Sequence, residues 1–293
     1  MPNEPVLPWR RAIQWIALAL LLALGALGAV LAWLKLHEAD LVFATARSHR
    51  HLVSALPSGS ERITIPLADG EGIAALLLRP DAGADGGYWV LHLHGNAVSA
   101  FSAEQERHVE ALRALGLSVL AIDYRGFGLS PGTASEASMD QDAEAAWQEL
   151  MRRGVAPERV IIWGHSLGSG PAVQLASQHA AAALVLFGAF TSIADAAADT
   201  YPYLPVRALV TVRFDSVALI GTIRMPVVIA HSQGDRVIPY HHATALFAAA
   251  HEPKRLLTLL PPYDDRLGGH DNALYEHLDL LVGALAPWFA CCR

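Results

Sequence analysis

The chain has 293 residues, 21 basic and 28 acidic, for a formal net charge of -7. Hydrophobic residues make up 53% and charged residues 17%, which is more apolar and less charged than an ordinary soluble domain. These proportions exclude a disordered chain, a polytopic transporter and a disulfide-stapled mini-protein, and the acidic balance leaves no basic stripe to neutralise nucleic acid.

The first element is Ile13–Leu34, 22 residues of which 19 are apolar and none is charged. As a helix it would be about 33 Å long, enough to cross a hydrocarbon core of about 30 Å. Trp9, Trp15 and Trp33 stand toward its ends, where amphipathic rings prefer to sit. A cleaved signal peptide is the alternative, but its apolar run would be shorter and closely followed by a small-residue site. Here Ala44-Thr45-Ala46 begins ten residues beyond Leu34. The reading is a single-pass anchor over 13–34, after a short tail (1–12) and before a juxtamembrane connection (35–60). Arg10 and Arg11 abut its start and only Lys35 its end, which favours a cytoplasmic amino terminus and a non-cytoplasmic domain.

From 61 to 293 the pattern predicts one domain. Arg62–Leu67 and Ile73–Arg79 flank the hairpin turn Ala68-Asp69-Gly70, with Pro66 suited to a sheet edge or strand end. Short apolar runs follow at Tyr88–His94, Leu117–Asp123, Val160–Gly164, Ala183–Phe187, Pro226–His231 and Leu256–Leu260. Helical spacing separates them at Ala103–Leu115, Ser135–Arg153, Pro171–Gln178, His241–Ala250 and Asn272–Phe289. Such alternation implies a three-layer α/β fold with a mostly parallel sheet, in which ligands bind beyond the carboxyl ends of the strands.

The residues following those strands carry the chemistry. Gly164-His165-Ser166-Leu167-Gly168 is G-x-S-x-G between a strand and a helix. A nucleophilic Ser there projects from a turn too sharp for bulky neighbours, and the helix aims N–H groups at a developing oxyanion. Gly95-Asn96-Ala97 follows an early strand; the Asn96 and Leu167 N–H groups are the expected oxyanion pair, with Ala97 the rival to Asn96 and a candidate substrate contact. Asp235 is the first carboxylate after Pro226–His231, and could orient a histidine or simply cap a turn. Five of the 14 histidines follow it, and His270 alone lies in a loop after a strand. Ser166, Asp235 and His270 are therefore the expected triad. Asp123 and Arg125, at another strand end, are expected to brace loops. The long connection Phe190–Met225, with Tyr201 and Tyr203, is expected to form a lid or binding wall. His92 and His94 share a strand face but lack a third ligand at useful spacing, so neither metal nor cofactor is expected. Cys291 and Cys292 are adjacent, a strained spacing for a structural disulfide.

Over about residues 60–290 these motifs resemble the α/β-hydrolase superfamily, most closely its small membrane-anchored serine-hydrolase branch with serine-aminopeptidase-like domains, which includes protein depalmitoylases and lipid esterases. The resemblance rests on His94-Gly95-Asn96-Ala97, Asp123-Tyr124-Arg125-Gly126-Phe127-Gly128-Leu129-Ser130, Gly164–Gly168, Gly234-Asp235 with Val237-Ile238-Pro239, and Gly269-His270-Asp271. Two departures are Ser232-Gln233 after the acid strand and the long loop Pro261–Gly269 containing Asp264 and Asp265. The combined expectation is an anchored serine hydrolase acting on small-molecule or lipid acyl esters or thioesters. The alternatives are an amidase or peptidase of the same fold, or a catalytically silent anchored binding module.

Overall fold

The computed structural model describes residues 8–50, 52–53, 56–80, 86–261 and 266–288. Cys291, Cys292, Asp264, Asp265 and residues 1–7 of the tail lie outside them. The chain divides after Leu41 into two units.

The first unit is built on helix α1, Pro8–Leu36, which extends beyond 13–34 at both ends. Its leucines, isoleucines and tryptophans are exposed along almost its whole length. By length and composition it can cross a membrane, and a helix apolar on every side suits hydrocarbon better than water.

The second unit, from Val42, is built on an eight-stranded sheet. Its strands are β1 (Ser60–Pro66), β2 (Gly72–Leu78), β3 (Trp89–Leu93), β4 (Ser118–Ile122), β5 (Val160–His165), β6 (Ala183–Phe187), β7 (Val227–Ser232) and β8 (Lys254–Leu259). They run in the order β1-β2-β4-β3-β5-β6-β7-β8. Only the β1–β2 and β2–β4 pairings are antiparallel. β1 is an edge strand with Pro66 its last residue, where the missing N–H costs no ladder bond.

Helices α2 (Ala103–Ala114) and α3 (Glu136–Arg152) begin at serine caps; at Ser135 the cap is reciprocal, with the Ser138 hydroxyl accepting in return. Helices α4 (Ser169–Gln178), α5 (Ile193–Thr200), α6 (His241–Ala249) and α7 (Leu278–Leu285) follow. Strand alternation sends Leu91, Leu93 and Ile162 into a core with Met139, Trp147, Val173 and Leu246 from α3, α4 and α6. Val90, Ile161 and Trp163 face the opposite core with Val109, Leu112, Leu281 and Leu285 from α2 and α7. Both faces of the sheet are thus covered, which is why its strands read as continuous apolar runs.

Two departures from the sequence pattern have structural consequences in the second unit. The connection expected over 35–60 is partly domain, because Phe43 is 3% exposed inside the first core. The helix expected over Asn272–Phe289 is interrupted at His277, between Ala273–Glu276 and α7. Tyr275 is held in the first piece by stacking on His108 at 3.7 Å and by a hydroxyl contact with His92 Nε2 at 3.1 Å. The break lets α7 lay Leu281 and Leu285 on the sheet separately.

Candidate active site

β5 ends at His165 and the chain turns sharply into a single 3-10 turn, Ser166–Gly168, and then α4. Ser166 has φ of 50°, a left-handed conformation that costs a non-glycine residue energy. Close packing forces the flanking residue types. A Cβ on Gly164 would lie 2.6 Å from the Ala172 Cβ, and one on Gly168 would lie 2.1 Å from the Leu93 carbonyl oxygen. The Ser169 hydroxyl donates to the Ser166 carbonyl at 2.6 Å and ties the turn to the helix start.

His270 arrives from the loop after β8. Its Nε2 lies 2.8 Å from Ser166 Oγ and its Nδ1 lies 2.7 Å from Asp235 Oδ2. Asp235, just past β7, also accepts at Oδ1 from the Val237 and Ile238 N–H groups at 2.8 and 2.9 Å. Burial alone would push its pKa up. Hydrogen bonds from His231 and His270, the charge on His270 and the Ile238 N–H outweigh burial and hold the carboxyl well below its usual range. An ionised Asp235 accepts a hydrogen bond from the Nδ1–H of His270, which keeps the proton on Nδ1 and leaves the Nε2 lone pair to accept from the Ser166 hydroxyl. All three residues are buried, so little water competes for these bonds.

The loop bearing His270 has its own supports. His165 Nε2 donates to the His270 carbonyl at 3.0 Å, and Ser232 Oγ donates to that of Gly268 at 2.6 Å. His165 is stacked on Phe187, and burial first, then repulsion from His270, pushes its pKa well below the ordinary value, so it stays neutral. Gly188, after β6, lies against the His270 imidazole, where a Cβ would come within 3.1 Å of Cε1 and Nδ1. None of these three supports is among the residues expected from sequence; a glycine directly after a strand is the available signal for Gly188.

Asn96 and Leu167 have no backbone N–H acceptor among the described residues. The Ala97 N–H, in contrast, donates to Asn96 Oδ1 at 3.0 Å. This separates the two rivals: Ala97 is committed and Asn96 is not. Asp123 accepts from Ser99 Oγ, Ala100 N and Leu129 N at 2.7–2.9 Å, joining the loops after β3 and β4. Arg125 grips Asp142 of α3 through its N–H and Nε, both at 2.8 Å.

Other expected residues lie elsewhere. Tyr203 is 97% exposed and Tyr201 54%, so neither ring is packed into the body of the domain. Both lie between α5 and a short helix at Val206–Leu209, where Pro202 and Pro205 stop helix propagation and leave the tip in solvent. His92 and His94 do not converge, because β3 ends at Leu93 and the strand alternation ends with it. His92 meets Tyr275, whereas His94 meets Gly95 O and lies tilted against the Tyr124 ring.

Among the described residues, two side-chain groups bring potential metal ligands within 4.8 Å of one another: His165, His270 and Asp271, and Asp199, His241 and His242. Neither suits an ion as arranged. In the first, both His270 nitrogens face the Ser166–Asp235 pair. In the second, His242 Nδ1 accepts from the Thr191 N–H, so Nε2 carries the proton that it gives to Asp199.

The family model described as "Serine aminopeptidase, S33" matches residues 89–218. Uncharacterized protein Rv2307c of Mycobacterium tuberculosis is 36% identical over 251 residues, 85% of this chain and 86% of that protein. Human alpha/beta hydrolase domain-containing protein 17B is 33% identical over 215 residues, 72% of this chain and 70% of its own. Lysophosphatidylserine lipase ABHD12 of Danio rerio is 31% identical over 208 residues, 64% of this chain and 54% of its own. Among solved structures, the Pyrococcus furiosus esterase Pf2001 superposes with a TM-score of 0.62 at 19% identity, over 78% of this chain and 92% of that one. The sheet order, the relatives and this shared architecture agree: the chain belongs to the α/β-hydrolase superfamily.

Proposed function

We propose that the chain is a membrane-anchored serine hydrolase that cleaves carboxylic esters or thioesters with lipid-like acyl groups. The observation that carries this is the single imidazole of His270 bridging Ser166 Oγ at 2.8 Å and Asp235 Oδ2 at 2.7 Å. Ser166 Oγ attacks the carbonyl carbon while His270 Nε2 takes its proton. The oxygen, now negative, is met by the Asn96 and Leu167 N–H groups, each worth about 3–4 kcal/mol of transition-state stabilisation. The protonated imidazole, held by Asp235, gives its proton to the departing alcohol or thiol. Water, activated by the same base, then releases the acid from the acyl-enzyme.

The lipid-like acyl preference draws on two supports: the apolar helix α1, which would hold the second unit near a bilayer, and the similarity to a protein named as a lysophosphatidylserine lipase. The charges flanking the helix favour the hydrolase unit on the non-cytoplasmic side. The test is fluorophosphonate labelling followed by a chain-length series of aryl esters, a thioester and an aryl amide. Wild type labels and Ser166→Ala does not, and ester turnover rises with acyl length. Folded wild type that takes no label favours the silent binding module, and turnover of the amide above the esters favours the amidase.

A further inference from the structure

The segment just past the anchor unit is joined to the loop after β3 by one side chain. Asn96 Nδ2 donates to the Val42 carbonyl at 2.7 Å, and Asn96 Oδ1 accepts from the Ala44 N–H at 2.8 Å. The amide therefore pairs with the 42–44 backbone as a neighbouring strand residue would, across more than 50 positions of sequence. Phe43, between these two bonds, is buried in the core that also holds Tyr124 and Phe127. Ala44 is the centre of a tight turn, with φ of -79°, ψ of 49° and Thr45 N donating to Phe43 O at 2.8 Å. Further along, the Gly128 N–H donates to Ser48 Oγ at 2.9 Å, and the Val53 N–H donates to Phe101 O at 2.8 Å. Residues 42–50, with 52–53, thus form a strap tied to the loops beyond β3 and β4.

We propose that this strap, and Val42-Phe43-Ala44 above all, is a positioning element of the oxyanion site, so that attachment of the strap and turnover are coupled through Asn96. The proposal rests on the serine-hydrolase reading and deepens it. The logic is one of commitment. Every polar atom of the Asn96 side chain is engaged by the strap or by the Ala97 N–H, while its own N–H has no acceptor among the described residues. Fixing the side chain from two directions fixes the direction of that N–H. A donor acts at an oxyanion only when aimed before the charge develops. Among the described residues the strap makes no hydrogen bond to Ser166, His270 or Asp235, so its loosening lowers the rate and leaves the bonds of the triad in place.

The test uses the full chain in detergent micelles with a short-chain aryl ester. Ala44→Pro deletes the donor N–H, and the native φ of -79° suits the proline ring. Phe43→Ala unseats the strap by an independent route. Each is expected to lower kcat, about fivefold for the single bond lost in Ala44→Pro, with KM within about twofold. Asn96→Ala lowers kcat further, and adding Ala44→Pro to it costs nothing more, because the strap acts through that amide. The pH midpoint of kcat stays at its wild-type position in all four proteins. An unchanged kcat in both strap variants overturns the proposal. So does a loss that persists undiminished in the Asn96→Ala background, since the strap would then act by general packing. Ester turnover surviving in Ser166→Ala is a different failure and removes the hydrolase reading itself.

Discussion

Asp235→Asn isolates what the carboxylate does, because the turn decides how an amide must sit. At the Oδ1 position two backbone donors converge, Val237 N at 2.8 Å and Ile238 N at 2.9 Å. An Asn must place its oxygen there, since an NH2 group would face two N–H groups. Its NH2 then points at His270 Nδ1, where Asp235 Oδ2 now stands at 2.7 Å. That nitrogen is forced to become an acceptor, and the imidazole proton moves to Nε2, facing Ser166 Oγ. The base is lost although no heavy atom need move. The expected fall in kcat is about 10³–10⁴-fold, on the order of 4–5.5 kcal/mol. Asp235→Ala leaves Nδ1 without a partner and both tautomers accessible, so the near-isosteric Asn is at least as damaging as Ala. Stability changes in the same direction. His231 Nε2, 3.2 Å from Asp235 Oδ2, would face an NH2 group. The carboxyl's depressed pKa stabilises the fold above the ordinary carboxylate range and is lost as pH falls through the folded value, so the stability gap between wild type and Asp235→Asn narrows in acid. The assay is aryl-ester turnover beside denaturant unfolding from pH 3 to 8. An Asp235→Asn enzyme within tenfold of the wild-type kcat would refute the tautomer argument.

Three further outcomes follow from particular contacts. In Gly188→Ala the new Cβ takes up a φ of 57° and presses within 3.1 Å of His270 Cε1 and Nδ1; strain of about 1–2 kcal/mol and a displaced ring are expected to lower the melting temperature by a few degrees and kcat at least tenfold, and normal kinetics would contradict the contact. His165→Leu leaves the buried His270 carbonyl without its donor, at about 1–3 kcal/mol, whereas His165→Gln keeps an N–H and is expected to recover most of kcat. Equal losses in the two would show that ring packing matters and the hydrogen bond does not. Asp140, on α3, has its carboxyl pushed up to about 7 by burial and then by Glu136. Between the usual carboxylate range and that value the folded state holds a proton that the unfolded chain releases, so stability falls as pH rises through the window. Asp140→Asn is expected to remove that slope and to gain roughly 1–2 kcal/mol above pH 7, after allowance for solvent screening. Unfolding curves of equal pH dependence in the two proteins would count against it.

Much of this molecule was legible because its chemistry sits where a local pattern ends. A buried parallel strand announces itself as a short apolar run, and the residues at its carboxyl end face the crevice whatever else the chain does. Ser166, Asp235 and His270 were selected on that rule and on chain order, and the fold brings their side chains within hydrogen-bonding distance. The same rule applies to Gly188 after β6. Tyr201 and Tyr203 rest on a weaker signal, the length of the Phe190–Met225 connection, which points to a lid or binding wall without fixing where a ring faces; that depends on the turn beneath it, and Pro202 and Pro205 leave both exposed.

The strap was illegible for a deeper reason. Residues 42–53 lack a helical or strand period, and only Phe43 supplies a fully buried large apolar side chain there. At 42–44 the segment is held by the amide of Asn96, which pairs with backbone atoms and therefore demands no particular side chain at 42 or 44. A contact made to a backbone leaves no trace in the identity of the residue that receives it. Sequence patterns report what side chains need from their surroundings; they are silent where one side chain satisfies another segment's main chain. An oxyanion donor is itself a main-chain group, so its supports belong to the class of interaction that sequence reading sees least. The residue of the HGNA run that does leave a signature is Asn96, since an aspartate there could not donate to the Val42 carbonyl and an alanine could bond neither Val42 nor Ala44.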